Sequence, residues 1–324
     1  MVQKLEVLSV VFCSNTTQTT IHCPHCSSRT HKNGTVTYGH TAILPVIVSP
    51  GQAEVITLAP IFIKPQDGAQ KQDCEVTAAK RWVTAQAPDF GDQAVTLLGD
   101  DLYSRQPMCE TIRTAQMSFI FTCLPESHPT LYDWLTYLDA MGEITTLETK
   151  QWNKRAKEVY RYRYANQIPL RDALPELLVN WCELTLMRES NGQVLYQNQF
   201  ITDHPLDDQT VPPIIAAGRC RWKTENENHN VLKTKGYHLE HNFGHGQNHL
   251  SAVLLTLNLL AFLFHTVLHL VDPVYHQIRQ QRGTRKGFFQ DILSLTKYLL
   301  FDSWSALIKF MLSDASPSRA TNSS

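Results

Sequence analysis

Along the first hundred positions the apolar residues come in short runs bounded by turn residues, a pattern that predicts strands rather than helices. Leu5 to Phe12 reads as a short buried strand. A Cys- and His-rich, turn-like stretch follows over Thr20 to His40. Two further strands are predicted over Ala42 to Val48 and Val55 to Ile63, separated by the Pro50-Gly51 turn. The period then changes: Cys74, Ala78 and Trp82 fall four apart within Gln70 to Gln86, on one face of a predicted helix. Ala94 to Leu98 is an apolar strand that ends in Gly99-Asp100-Asp101, a helix opens near Pro107, and Phe119 to Cys123 is another apolar strand. This strand-turn-helix-strand unit implies neighbouring parallel strands. It puts Asp100 at the carboxyl end of a strand, where α/β folds place their chemistry.

The pattern changes again between Glu143 and Thr202, where alternation such as Val159-Tyr-Arg-Tyr-Arg-Tyr164 predicts an antiparallel β insertion. From Val211 onward the spacing is helical. Leu250 to Val271 is nearly continuous apolar sequence, long enough to span a bilayer. Asn258, His265 and His269 interrupt it, and no Lys/Arg cluster closely flanks it, so a buried core helix is expected rather than a membrane span. Gly283 to Gly287 is a basic break before one final amphipathic helix, and the tail SPSRATNSS is expected to be disordered.

With 324 residues and 43% hydrophobic content, the chain has material for one large domain or two modest ones. A net charge of -1 announces no overall basic field, although a local basic stripe can sit on a neutral chain. Of the eight Cys, six are scattered and two form a single CxxC. The start, MVQKLEVLSVV, has a Lys but no small-residue cleavage site, so the expected compartment is the reducing cytoplasm.

Several groups carry candidate chemistry. Asp100 with Asp101 could hold Mg²⁺, a hard ion that wants oxygen ligands; a turn-capping Asp is the competing reading. Arg221 and Glu225 lie four apart on a predicted helix, with Glu227 and Lys233 further on. A metal-binding Glu flanked by cations suits phosphate handling, and a solvated helix with ordinary ion pairs is the alternative. Cys23 and Cys26, with His31 and His40 downstream and His22 and His25 adjacent, can ligate zinc, although the spacing is no standard finger. The competing reading is a loop of thiols and imidazoles that binds nothing. His238, His241, His245 and His249 recur at helical spacing, but Gly244 and Gly246 break that helix, so a turn is expected. Basic residues between Lys154 and Arg163, interleaved with Tyr160 and Tyr162 and close to Trp152, could follow a phosphate backbone, or form a solvated β face.

Taken in order, these pieces resemble the DDE transposases of bacterial insertion sequences whose β insertion precedes the Glu helix. The resemblance covers roughly Thr20 to Leu270. It is carried by QDGAQKQDCEVTAAKRW, VTLLGDDLYSRQP, FIFTCLPESHPTLYDWL and, most specifically, RWKTENENHNVLKTKGYHLEHNFGHGQNHLS. It implies an α/β fold: an RNase H-like mixed sheet flanked by helices, with the β insertion and a helical C-terminal region. The corresponding divisions are 1–140 (with the Cys/His loop at 20–40), 141–205, 206–272 and 273–324. It further implies three carboxylates that hold two Mg²⁺ or Mn²⁺ ions for cutting and joining DNA. The second Asp falls on Asp100, in a D-x-x-Y pattern with Tyr103, and the Glu on Glu225, in a W-x-x-E pattern with Trp222. Lys233 follows Glu225 by eight residues and Glu227 by six, neither the family's usual spacing, so both acids remain candidates. Arg221 and Lys233 would contact phosphate. The implied partners are DNA and further copies of the chain, with no membrane. One departure stands out: where the first Asp should close the first strand, the sequence is Phe12-Cys-Ser-Asn15, and no Asp occurs before Asp67. The resemblance therefore leads us to expect a truncated or frame-disrupted copy with little or no strand transfer.

Overall fold

The computed structural model describes residues 6–7, 10–11, 23, 26–63, 73–90, 95–153, 156–239, 241 and 249–313. The chain is a mixed α/β protein. Its N-terminal strands are short: β1 (Glu6–Val7), β2 (Val10–Val11), β3 (Ser27–Thr30), β4 (Val36–Gly39), β5 (Thr41–Ile43), β6 (Val46–Ile47), β7 (Ile56–Thr57) and β8 (Ile61–Ile63). They pair antiparallel as β1-β6-β7, β2-β5-β8 and β3-β4. The two strands expected over 42–48 and 55–63 are each cut in two, and each cut contains a proline, Pro45 or Pro60. Pro45 still accepts a ladder bond from Leu58 N at 2.9 Å.

The stretch expected to be turn-like over 20–40 instead contains the β3-β4 hairpin. The reversal is built at its tip: Gly34 sits at φ +79°, its N–H donates to His31 O, and the Asn33 side chain accepts from Thr35 N. Only a residue without Cβ takes that φ freely. The flanking Ser, Thr, Val and Tyr residues suit a pleated surface.

Helix α1 (Glu75–Phe90) buries Ala78, Ala79, Trp82 and Val83, while Cys74, expected on the same face, precedes it and is exposed. The unit predicted around Asp100 is present: β9 (Thr96–Gly99), α2 (Gln106–Thr114) opening with Pro107, and β10 (Ser118–Thr122) parallel to β9. Strand β1 lies beside β9. Helix α3 (Pro129–Ala140), which no periodicity had marked, follows.

The region expected as an insertion forms an antiparallel meander of β11 (Thr145–Asn153), β12 (Ala156–Pro169), β13 (Leu178–Arg188) and β14 (Val194–Thr202). It is continuous with the rest. Strand β14 pairs with β10, so one six-stranded mixed sheet runs β11-β12-β13-β14-β10-β9. Helix α4 (Val211–Arg219) crosses this sheet over β10, β12 and β13. Gly218 permits the close approach: a Cβ there would stand 2.9 Å from the Phe200 ring and 3.0 Å from Ile120.

After α4 come a π-helical segment (Thr224–His229), α5 (Asn230–Thr234), α6 (Leu250–Val271), α7 (Pro273–Arg282), α8 (Arg285–Tyr298) and α9 (Trp304–Ser313). Asp272 caps α7 by accepting from Val274 N and Tyr275 N, and Thr284 caps α8 by accepting from Gly287 N. The basic break is therefore real, but two helices follow it, not one. They pack on α7 around Tyr275, Ile278, Phe288, Leu307, Ile308 and Met311. The C-terminal tail lies outside the described residues.

Helix α6 departs from expectation. It is one unbroken helix, yet only 28% of its most apolar 18-residue window is buried. Among the described residues it alone is long and apolar enough to cross a membrane by length and composition. Except for exposed Thr256, its polar residues face the protein and leave apolar ones on the outer side. Asn258 Nδ2 donates to Tyr237 O, the Tyr237 hydroxyl lies 2.8 Å from His265 Nδ1, and Ser251 and Thr266 are buried.

Candidate metal centre and acidic site

Three metal-ligating side chains converge at the base of the β3-β4 hairpin. Cys26 N–H donates to Cys23 O at 3.0 Å, which curls the CxxC into a turn with both sulfurs on one side. The return strand β4 then delivers His40 to the same place. The Sγ–Sγ distance is 3.5 Å, and His40 Nε2 lies 3.4 Å from Cys23 Sγ and 3.6 Å from Cys26 Sγ. A tetrahedral zinc with its usual bond lengths needs donor–donor edges of about 3.6–3.8 Å. The three donors thus already outline one face of such a site. Burial, with the neighbouring thiol adding to it, pushes Cys26 up to about 11, so a central cation is what would favour the thiolates. His31, expected as a ligand, lies outside the cluster; its Nε2 is 2.9 Å from Thr37 Oγ1, a contact across the hairpin. His22 and His25 lie outside the described residues.

Asp100 stands exposed just beyond β9, and its Oδ1 accepts from Leu102 N at 3.0 Å, the local turn that was the competing reading. Asp101 has a structural task. Its Oδ1 accepts from Leu124 N at 2.8 Å and lies 3.6 Å from His128 Nε2. Buried Ser104 donates to Asp101 O and meets His128 Nε2 at 2.6 Å, so these residues fasten the turn after β9 to the turn after β10. The carboxylate that shares the surroundings of Asp100 is Glu75, in the first turn of α1, where its Oε1 accepts the Tyr103 hydroxyl at 2.9 Å. Burial raises Glu75, the Tyr103 bond opposes that, and the charge of Asp100 adds to the rise. Glu75 was not singled out from the sequence. Its only signal was its place inside the QKQDCEV phrase of the resemblance.

Glu225 lies in the π-helical segment, exposed, with Arg221 Nη1 donating to its Oε1 at 2.9 Å as the spacing predicted. Glu227 is two residues on and half-buried. Among the described residues no hydrogen bond or ion pair joins Asp100 to either acid. The segment is pinned by buried Lys223, which donates to Ser49 O at 2.6 Å and to Gln52 O in the turn between β6 and β7. Thr224 Oγ1, both amide atoms of Asn228 and His229 Nε2 are buried there without a hydrogen-bond partner. Burial, helped by Lys233, pushes His229 down to about 3. A π-helical turn with orphaned polar groups is a recurrent feature of functional segments.

Comparison with known proteins adds no identity: no protein-family model matches the chain, and no curated protein matches it.

The basic residues of the β12 face, which the sequence left open between a phosphate-following strip and a solvated β face, are paired with acids. Arg161 binds Glu148 at 2.6 Å, and Arg163 binds Asp139 at 2.7 Å with Glu183 at 3.9 Å. On the neighbouring strand Lys150 binds Glu189 at 2.8 Å. Tyr162 is buried while Trp152 is exposed, and Lys154 and Arg155 lie outside the described residues. Of the His-rich segment, residues 237–239, 241 and 249 are described, and His238 and His249 take positive φ; the turn expected around Gly244 and Gly246 lies outside the described residues.

Proposed function

We propose that this chain is a DDE-type transposase of an insertion sequence, with an RNase H-like core, whose metal-dependent DNA cleavage is weak because its first carboxylate is missing. The observation that carries the reading is the order of elements around Asp100. Antiparallel strands lead to α1, β9 ends at Asp100, and α2 leads to parallel β10. The β11–β14 meander follows, and α4 leads into the segment bearing Glu225 and Glu227. That is the order the resemblance implies. The position of Asp100 at a strand's carboxyl end, beside a second carboxylate, supports it further.

The residues present do not make a complete site for two Mg²⁺ or Mn²⁺ ions. Glu75 holds the Tyr103 hydroxyl and feels the charge of Asp100, Glu225 is engaged by Arg221, and no set of three carboxylates converges among the described residues. No catalytic step is therefore derived through such ions. The Cys23, Cys26 and His40 set does fit zinc, in softness of donors and in spacing. Zinc there would have a structural role, clamping the foot of the β3-β4 hairpin. That cluster favours a second reading, a non-catalytic zinc-stabilised protein that binds DNA.

Incubation with supercoiled plasmid and Mn²⁺ separates the two. The first reading predicts slow nicking that Asp100→Ala abolishes, and the second predicts DNA binding with no nicking. Rapid cutting indifferent to Asp100→Ala, or failure to bind DNA at low salt, would overturn both.

A further inference from the structure

Helix α3 shows two aromatic side chains to solvent. Trp134 is 44% exposed and Tyr137 56%, and their rings meet edge to face with centroids 6.2 Å apart. With Asp133 they form one wall of a cavity of about 760 Å³. The other wall is the connection between β12 and β13, which contributes Arg171, Asp172 and Glu176. That connection is fastened to the core. Leu170 N–H donates to Leu177 O at 3.0 Å across its base. Buried Gln106, at the start of α2, accepts from Arg171 Nε at 2.7 Å and donates to Pro175 O at 3.1 Å. Both walls are thus held in place by the folded chain. The charges are unbalanced, unlike those of the neighbouring β12 face. Among the described residues, Asp133, Asp172 and Glu176 take part in no hydrogen bond or ion pair, and Arg171 is the one cation in the lining.

We propose that this cavity binds an organic cation of the aliphatic polyamine class. The lining selects that chemistry by exclusion and by fit. An anion would meet three carboxylates against one guanidinium, and a purely apolar ligand would strip water from charges that have no partner. A bare metal ion would leave the two exposed rings without a role. A polyamine uses every part: its ammonium groups reach Asp133 on one wall and Asp172 and Glu176 on the other, and its methylene stems cross the Trp134 and Tyr137 rings. Carboxylates on both walls call for more than one positive charge. The volume falls within the range of small-molecule pockets, which favours a free small ligand over a folded partner. None of these residues belongs to the metal centre or the acidic site, so the inference stands independently of the proposed DNA chemistry.

Isothermal titration of the full chain with spermidine tests it, in about 0.15 M NaCl so that loose surface attraction is screened. One spermidine binds per chain. Trp134→Ala weakens binding about fivefold, whereas Trp134→Phe, which keeps an aromatic face, retains most of it. Asp172→Asn combined with Glu176→Gln weakens it at least as much. All four side chains changed or retained in these variants are solvent-facing, and circular dichroism confirms that the fold is kept. Absence of binding at millimolar spermidine would overturn the proposal. So would equal binding by Trp134→Ala, or displacement of spermidine by Mg²⁺ at equal charge concentration, since the cavity would then be an acidic surface only.

Discussion

Cys23, Cys26 and His40 lie within 17 positions of one another, and one hairpin brings their donor atoms within 3.6 Å. Asp100 and Glu225 come from opposite halves of the chain, and each already has a local partner, Leu102 N for one and Arg221 for the other. Closing a short loop costs little conformational entropy, and neutral thiols and an imidazole can assemble without a cation. Carboxylates repel one another and stay apart, or share a proton, until something positive binds. Burial raises Glu75 first of all, and the charge of Asp100 adds to the rise. One candidate site is thus assembled within a single hairpin, whereas the proposed acidic site would need both the fold and an ion to close it.

The sharpest way to break this comparison is to remove a donor from the assembled site. Cys26→Ser should lose bound zinc and lower the melting temperature by about 5–10 °C in differential scanning calorimetry. Chelation of the wild type should reproduce the drop, while Asp100→Ala should leave the melting temperature nearly unchanged. Next, Gly218→Ala probes whether α4, which leads into the acidic segment, is fixed on the sheet. The added Cβ collides with Phe200 and Ile120, so denaturant unfolding should show a loss of about 2 kcal/mol.

A smaller, graded effect concerns pH. His229, beside the acidic segment, is held at about 3 in the folded chain against an ordinary value of 6.5. Below that ordinary value the unfolded chain takes up a proton that the folded chain refuses, so stability present above pH 6.5 is lost as pH falls toward 3. Melting temperature followed between pH 7 and pH 4 should fall, and His229→Leu should flatten the slope. The smallest effect is expected for Arg221→Ala. The Glu225 side chain is 60% exposed, and such pairs contribute less than ~1 kcal/mol. A larger loss would mean that the pair holds the segment in place.

The sequence made local features legible and left distant ones obscure, for physical reasons. The parallel β9-α2-β10 unit, the β11–β14 alternation and the Arg221–Glu225 pair all follow from period or spacing. The splitting of the early strands is legible in Pro45 and Pro60, whereas the strand residues of the β3-β4 hairpin are interspersed with Cys, His and turn residues that break their alternation. The join between β14 and β10 is a long-range pairing that no local pattern announces. For α6, hydropathy gave the helix but not its orientation. A core helix is expected to turn its polar residues outward, and this one buries them on Tyr237 and Glu54. Glu75 could not be linked to Asp100 by spacing, because tertiary packing of α1 brings them together.

Native mass spectrometry of the full chain, loaded in parallel with Zn²⁺ and with Mn²⁺, compares the two sites most directly. The account predicts one zinc per chain, retained through buffer exchange and lost in Cys23→Ser, with no Mn²⁺ retained and no change in Asp100→Ala. No zinc retained, zinc indifferent to Cys23→Ser, or Mn²⁺ retained equally in Asp100→Ala, would contradict it.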